Sequence, residues 1–221
     1  MKSVSLQEFM TDEQQQAAAA ATLRDEEGLV CFPCRGTYRI AANLLSEAAV
    51  LELLQTKRRA RHRPALVLVR DPRALDRLAG EIPAAARRLI DALWPGDVTL
   101  RLPVNREELP AKVYKELSKP DKKVGFRLAA SPVAQVLVEK AGIPLLVSSA
   151  NLSQKSGASS VAAIRKNFGR RVDWLIDSGD LPDQPPSTVV DFDPDGRYKL
   201  VRVGSVSEES IAETWARLEQ A

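Results

Sequence analysis

Residues 144–151 read Pro-Leu-Leu-Val-Ser-Ser-Ala-Asn (PLLVSSAN). Pro144 to Val147 is apolar and of strand length, and Ser148, Ser149 and Asn151 follow at once. Open α/β sheets hold ligands at such places, because side chains past a strand end leave the core while the backbone stays fixed. The flanking sequence keeps the pattern. Val124 to Leu128 reads as a strand, and Ser131-Pro132 opens a helix that ends near Gly142. After the loop of Asn151 to Gly157 come a helix around Val161 to Asn167 and a strand at Val172 to Ile176.

Upstream, Thr11 to Glu27 predicts a helix entered through Thr-x-x-Gln and stopped at Gly28, followed by a short buried strand to Phe32. Ser46 caps a helix with Val50, Leu51, Leu53 and Leu54 at helical spacing, which runs out at Lys57. Ala65 to Val69 is a strand, and Pro83 to Leu93 is a helix begun by proline and broken by Trp94-Pro95-Gly96. Val98 to Leu102 alternates as a strand, and the polar Arg106 to Asp121 is expected on the surface. Ser187 to Phe192 and Leu200 to Val203 flank an Asp-Pro-Asp-Gly turn and predict a hairpin. Because strands and helices intermix without a regular βαβ repeat, the expected fold is α/β, a mixed, twisted open sheet with helices packed on it. It is expected as a single domain over 1–221, with its core at about 28–204 and a short C-terminal helix at 208–218.

A chain of 221 residues can bury a core of its own. No apolar run approaches the roughly 20 residues that a membrane span requires, and MKSVSLQEFM lacks the charged-then-apolar order of a signal peptide. The expected location is the cytoplasm, with no membrane partner. The net charge is only +3, but Lys57 to Arg63 reads KRRARHR, a local positive field suited to phosphates. His62, the one histidine, lies within that run and no Gly-x-Ser-x-Gly elbow accompanies it, so acyl hydrolysis is set aside. Cys31 and Cys34 form a C-x-x-C pair. Two cysteines and one histidine do not supply the four ligands of a structural zinc, so no metal site is assigned. A redox role predicts a Cys31–Cys34 disulfide; the alternative is two reduced structural thiols.

Four segments place polar or cationic groups just past apolar strands or turns: Lys57, Arg59 and Arg61; Arg127; Ser149 and Asn151 with Ser159; and Ser187-Thr188 with Arg202. With Phe32-Pro33 followed by Tyr38, Lys57-x-Arg59 ahead of Pro64-Ala65-Leu66-Val67, Trp94-Pro95-Gly96 with Thr99, Val124-Gly125-Phe126-Arg127, Ser149-Ala150-Asn151, Ser187-Thr188-Val189-Val190-Asp191, and Arg202 with Gly204, the chain resembles the YrdC-like family. The principal activity of that family is threonylcarbamoyl-AMP synthase.

The resemblance implies a nucleotidyltransferase that makes threonylcarbamoyl-AMP from L-threonine, bicarbonate and ATP, releasing pyrophosphate, for the threonylcarbamoyladenosine modification of tRNA. By it, Lys57 and Arg59 are the catalytic cations. Lys57, Arg59, Arg61, Arg127, Asn151, Ser159 and Arg202 would bind ATP, and Cys34, Tyr38, Ser149 and Ser187 would face the amino acid. Mg²⁺ would be carried with ATP, since no acidic cluster stands ready for it. RNA, whether tRNA or double-stranded RNA, could lie on the basic groove through salt-sensitive contacts, but aromatic content of 5% does not support base-specific reading.

The resemblance departs in two places. The family's Pro-Thr-Asp-Thr-x-Tyr-Gly-Leu stands here as Pro33-Cys34-Arg35-Gly36-Thr37-Tyr38-Arg39-Ile40, and the histidine usual after Arg127 is absent from Leu128-Ala129-Ala130-Ser131-Pro132. Two functions therefore stay open: the synthase, or a non-catalytic or re-specialised paralogue that binds nucleotide or double-stranded RNA.

Overall fold

The computed structural model describes residues 1–57, 65–118, 121–152, 158–193 and 195–220. Its strands are β1 (Lys2–Ser5), β2 (Val30–Cys34), β3 (Thr37–Asn43), β4 (Leu66–Val69), β5 (Val98–Pro103), β6 (Lys123–Leu128), β7 (Leu145–Ser149), β8 (Trp174–Asp177), β9 (Thr188–Phe192) and β10 (Tyr198–Arg202). They form one mixed sheet in the order β1-β8-β2-β3-β7-β4-β6-β5-β9-β10. The helices are α1 (Leu6–Thr11), α2 (Glu13–Arg24), α3 (Glu47–Thr56), α4 (Pro72–Leu78), α5 (Ala84–Leu93), α6 (Ala111–Leu117), α7 (Pro132–Ala141), α8 (Val161–Phe168) and α9 (Glu208–Glu219). The mixed α/β sheet expected from the sequence is present.

Several local expectations are corrected. The helix expected from Thr11 to Glu27 is α2 and starts at Glu13, because Asp12, not Thr11, accepts hydrogen bonds from the amides of Gln14 and Gln15 and caps it, while a separate helix, α1, precedes it. Buried Gln16 then donates to the carbonyls of Phe9 and Met10 and satisfies the end of α1. The surface excursion of Arg106 to Asp121 contains α6, whose Val113 and Leu117 are buried. Two such side chains are worth roughly 1.5–3 kcal/mol each, enough to dock so short a helix. The pattern also missed β1, α1, β3 and α4.

The sheet has two unequal faces. One packs against α3, α5, α6, α8 and α9 in a continuous core that includes Val50, Leu89, Val113, Phe168 and Ile211. The other is covered by α1, α2 and α7 through Phe9, Leu23, Val133 and Leu137. Among the described residues this second layer draws nothing from β5, β6, β9 or β10. On those strands Val98, Leu100, Val124, Phe126, Val190 and Phe192 fill the first core. Side chains alternate along a strand, so Thr99, Arg101, Gly125, Arg127 and Val189 face the uncovered half.

The same alternation decides the cysteine question. Cys31 and Cys34 are three residues apart on β2, belong to opposite core layers and are both free. The disulfide of the redox alternative is not formed, and burial raises the Cys31 pKa far above that of an ordinary thiol.

Candidate functional site

The uncovered half-face is the floor of a cavity of about 810 Å³. Arg127 and Gly125 reach it from β6, Thr99 and Arg101 from β5, Val189 from β9, Arg39 from β3 and Ser149 from β7. Gly125 is required here by close approach: a Cβ would lie 2.9 Å from the Thr99 methyl and 3.0 Å from the Ala65 carbonyl oxygen. Arg202 reaches the cavity through a bulge in β10, where Leu200 pairs with Val190 but Arg202, not Val201, pairs with Val189. The extra residue turns Arg202 to the side that Val189 faces.

At one wall Lys57, the C-cap of α3, donates from Nζ to the Ser149 carbonyl and to Asn151 Oδ1 at 3.3 Å. Its charge sits at the helix end that favours cations. The Ser149 hydroxyl donates to the same Asn151 oxygen at 2.6 Å. Thus PLLVSSAN does end as a strand whose polar tail is fixed by a buried lysine. At the opposite wall Arg202 donates from Nη2 and Nε to the Ser187 carbonyl at 2.8 and 3.2 Å, and the Ser187 hydroxyl bonds Thr99 Oγ1 at 3.1 Å. The rim carries the two-residue β2–β3 turn, where Arg35 adopts φ 55° and pairs with Asp97 and Ser205.

The electrostatics are one-sided. Arg127 is nine-tenths buried or more, and its nearest carboxylate, Asp97, is 3.6 Å away and shared with Arg35. Burial is the main cause that lowers its pKa; Cys34 pulls the other way, Arg39 lowers it further, and Asp97 opposes more weakly. Arg202 is shifted down for the same two reasons, burial and then Arg39. Among the described residues neither Arg39 nor Arg202 pairs with a carboxylate. The Nε atoms of Arg39 and Arg127 are buried without a hydrogen-bond partner among the described residues. A buried charged donor left so costs on the order of 1–3 kcal/mol or more, which an anion bound in the cavity would recover. Arg101 differs, since Asp191 and Asp121 neutralise it at 2.8 and 2.5 Å.

The structure therefore brings together Cys34, Lys57, Arg127, Ser149, Asn151, Ser187 and Arg202 from the sequence-derived set. Cys34 lies beside Arg127, with Nη2 donating to Sγ at 3.8 Å. Tyr38 is displaced: the alternation of β3 that turns Arg39 into the cavity turns Tyr38 into the core on the other face. There it is fully buried, its hydroxyl donating to the Gly179 carbonyl and accepting from the Ser178 amide, both at 2.8 Å. Tyr38 does not line this cavity. Ser159 is also absent from the wall, and its carbonyl accepts from the Leu181 amide. Arg59, Arg61 and His62 lie outside the described residues, although Lys57 and Ala65 on either side both line the cavity.

Sequence reasoning missed Arg39 and Arg101 as cavity residues. The signal existed in the alternation of Leu100-Arg101-Leu102 and Tyr38-Arg39-Ile40, but β3 had not been identified as a strand. Among the described residues no group of three or more His, Cys, Asp or Glu side chains is placed to hold a metal ion. No helix among them is long and apolar enough to cross a membrane.

Comparison with known proteins bears on this geometry. The family model Sua5/YciO/YrdC, described as telomere recombination, matches residues 22–204. The chain is 31% identical over 204 residues to the threonylcarbamoyl-AMP synthase of Bacillus subtilis (strain 168), covering 92% of this chain and 57% of that protein. To the threonylcarbamoyl-AMP synthase of Halorhodospira halophila it is 32% identical over 158 residues, 72% of this chain and 80% of the other. The crystal structure of Pyrococcus abyssi Sua5 complexed with L-threonine superposes with a TM-score of 0.81 at 31% identity, covering 92% of this chain and 58% of that one. The chain thus spans little more than half the length of the first and last of these.

Proposed function

This chain belongs to the Sua5/YciO/YrdC family, and on that premise we propose that it forms threonylcarbamoyl-AMP from L-threonine, bicarbonate and ATP. The observation that carries the proposal is the cavity itself: arginines from three strands without full counter-charge, beside a serine, asparagine and lysine cluster, with no histidine or paired carboxylate for proton relay among the described residues that line it.

Such a site suits chemistry done by positioning and charge. The threonine amine takes up bicarbonate with loss of water to give a carbamate. A carbamate oxygen then attacks the α-phosphorus of ATP, the bond from that phosphorus to the bridging oxygen breaks, and pyrophosphate leaves with the electron pair. Lys57, Arg127 and Arg202 would bind the phosphates, with Arg59 and Arg61 joining them by resemblance. Asn151 would bond the nucleotide, while Ser149, Ser187 and Cys34 would line the amino-acid end. Mg²⁺ would enter on the phosphates, because Asp97 and Asp121 are already taken up by arginines. The tRNA that receives the product would meet the same basic surface through phosphate contacts.

The test is pyrophosphate release with ATP, Mg²⁺, bicarbonate and L-threonine. Release that requires both threonine and bicarbonate supports the synthase; ATP binding without threonine-dependent release sinks it in favour of the re-specialised paralogue. A Lys57→Ala/Arg59→Ala variant is expected to lose ATP affinity, and retention would remove the phosphate clamp.

A further inference from the structure

Of the cavity arginines without a part in the roles above, Arg35 and Arg101 are paired with carboxylates and Arg39 is not, among the described residues. Arg39 stands where the family pattern carries glycine, so its guanidinium is an addition in this chain. It enters the cavity opposite Ser149 in the β3–β7 ladder, beside the cluster of Lys57 and Asn151.

We infer that Arg39 is a phosphate-binding residue which, with Arg127 and Arg202, forms a three-guanidinium clamp on the two phosphates that leave as pyrophosphate. The inference rests on the ATP-dependent function proposed above. Three observations support it. Arg39, Arg127 and Arg202 line the same cavity although they come from β3, β6 and β10. Among the described residues, carboxylates neutralise neither Arg39 nor Arg202 and only Asp97 approaches Arg127. The Nε–H groups of Arg39 and Arg127 are buried and unpartnered among the described residues.

A single carboxylate or carbamate satisfies the fork of one arginine. Three arginines on one cavity, with Asp97 the one carboxylate that approaches any of them among the described residues, match an anion with several charged centres, and pyrophosphate is the part of the substrate set with that form.

The experiment is calorimetric binding to the whole chain of ATP, inorganic pyrophosphate, AMP and L-threonine, for the unsubstituted protein, Arg39→Gln and Arg39→Lys. Arg39→Gln is expected to weaken ATP and pyrophosphate tenfold or more while AMP and threonine stay within twofold, and Arg39→Lys is expected to recover part of the loss. Its melting temperature should not fall, because a like charge is removed from beside Arg127 and Arg202. ATP and pyrophosphate unchanged within twofold, a loss confined to threonine, or an equal loss for AMP and pyrophosphate each overturns the inference. Binding is read without turnover, so a protein that binds as expected but releases no pyrophosphate overturns the synthase alone. An unsubstituted protein that binds neither ATP nor pyrophosphate overturns both.

Discussion

Arg127 and Asp97 approach to 3.6 Å across the cavity rim, while Asp97 gives its other oxygen to Arg35. The buried guanidinium therefore has less counter-charge than its burial requires. Removing it leaves no carboxylate unpaired, because Asp97 keeps Arg35, so an apolar residue of similar length relieves the burial of a charge without stranding its partner. Arg127→Met is expected to leave stability unchanged or raise it by up to about 2 kcal/mol, which is a rise of up to roughly 8 °C for a chain of this size. ATP affinity should fall at least tenfold. A marked drop in melting temperature would show instead that Arg127 holds the fold.

Asn151 Oδ1 accepts from both the Ser149 hydroxyl and Lys57 Nζ. A carboxylate can accept the same two bonds, so Asn151→Asp is expected to fold with unchanged or greater stability. Its negative charge would repel a polyphosphate, and nucleotide affinity should fall tenfold or more. Thermal unfolding and ATP titration of the same sample check both parts; unchanged ATP affinity would remove Asn151 from the nucleotide site.

Tyr38 is buried, and burial raises its pKa above the ordinary phenol value. The folded state thus binds its proton more tightly than the unfolded chain. The sign follows: this stabilisation is complete below the unfolded value of about 10 and is lost as pH rises through the higher folded value. Tyr38→Phe should flatten the alkaline decline of stability while costing about 1–3 kcal/mol at neutral pH, because the Ser178 amide loses its acceptor. Urea unfolding between neutral and strongly alkaline pH measures both. The KM for threonine should not change, and a large rise would return Tyr38 to the amino-acid site.

Gly204 leaves no space for a side chain: a Cβ would lie on the Pro186 carbonyl oxygen at 2.1 Å and close to the Ser187 backbone. Gly204→Ala must push 186–187 aside and with them the carbonyl that receives Arg202. The expected cost is about 1–3 kcal/mol from overpacking, with loss of pyrophosphate release beyond what the stability change explains. Wild-type activity in a stable Gly204→Ala protein would show that the Ser187 carbonyl does not position Arg202.

Much of the fold was legible because its signals are local. Ser46 at the start of α3 and Gly142 at the end of α7 are caps, and caps are properties of a few adjacent residues. The start of α2 differs from expectation because Thr11 and Asp12 compete for one capping role, and only the actual bonds to Gln14 and Gln15 decide it. Strand β3 was missed because Arg39 interrupts an otherwise apolar run, and the reason for a charge there is a cavity built by other strands.

What the sequence determined by itself was the kind of fold and the family: alternation and capping predicted a mixed α/β sheet, and the order of Lys57, Arg127, Ser149-Ala150-Asn151, Ser187 and Arg202 carried the resemblance to the Sua5/YciO/YrdC family. What only the tertiary structure decided was which face each residue serves. Tyr38 and Arg39 are neighbours in the chain, yet one fills the core and the other the cavity, and Cys31 and Cys34 are held in different layers. The physical reason is that a strand assigns its side chains to two faces, while the helices of the whole fold determine which face is covered. Here α1, α2 and α7 leave half of one face open, and the arginines that meet there come from strands far apart in sequence.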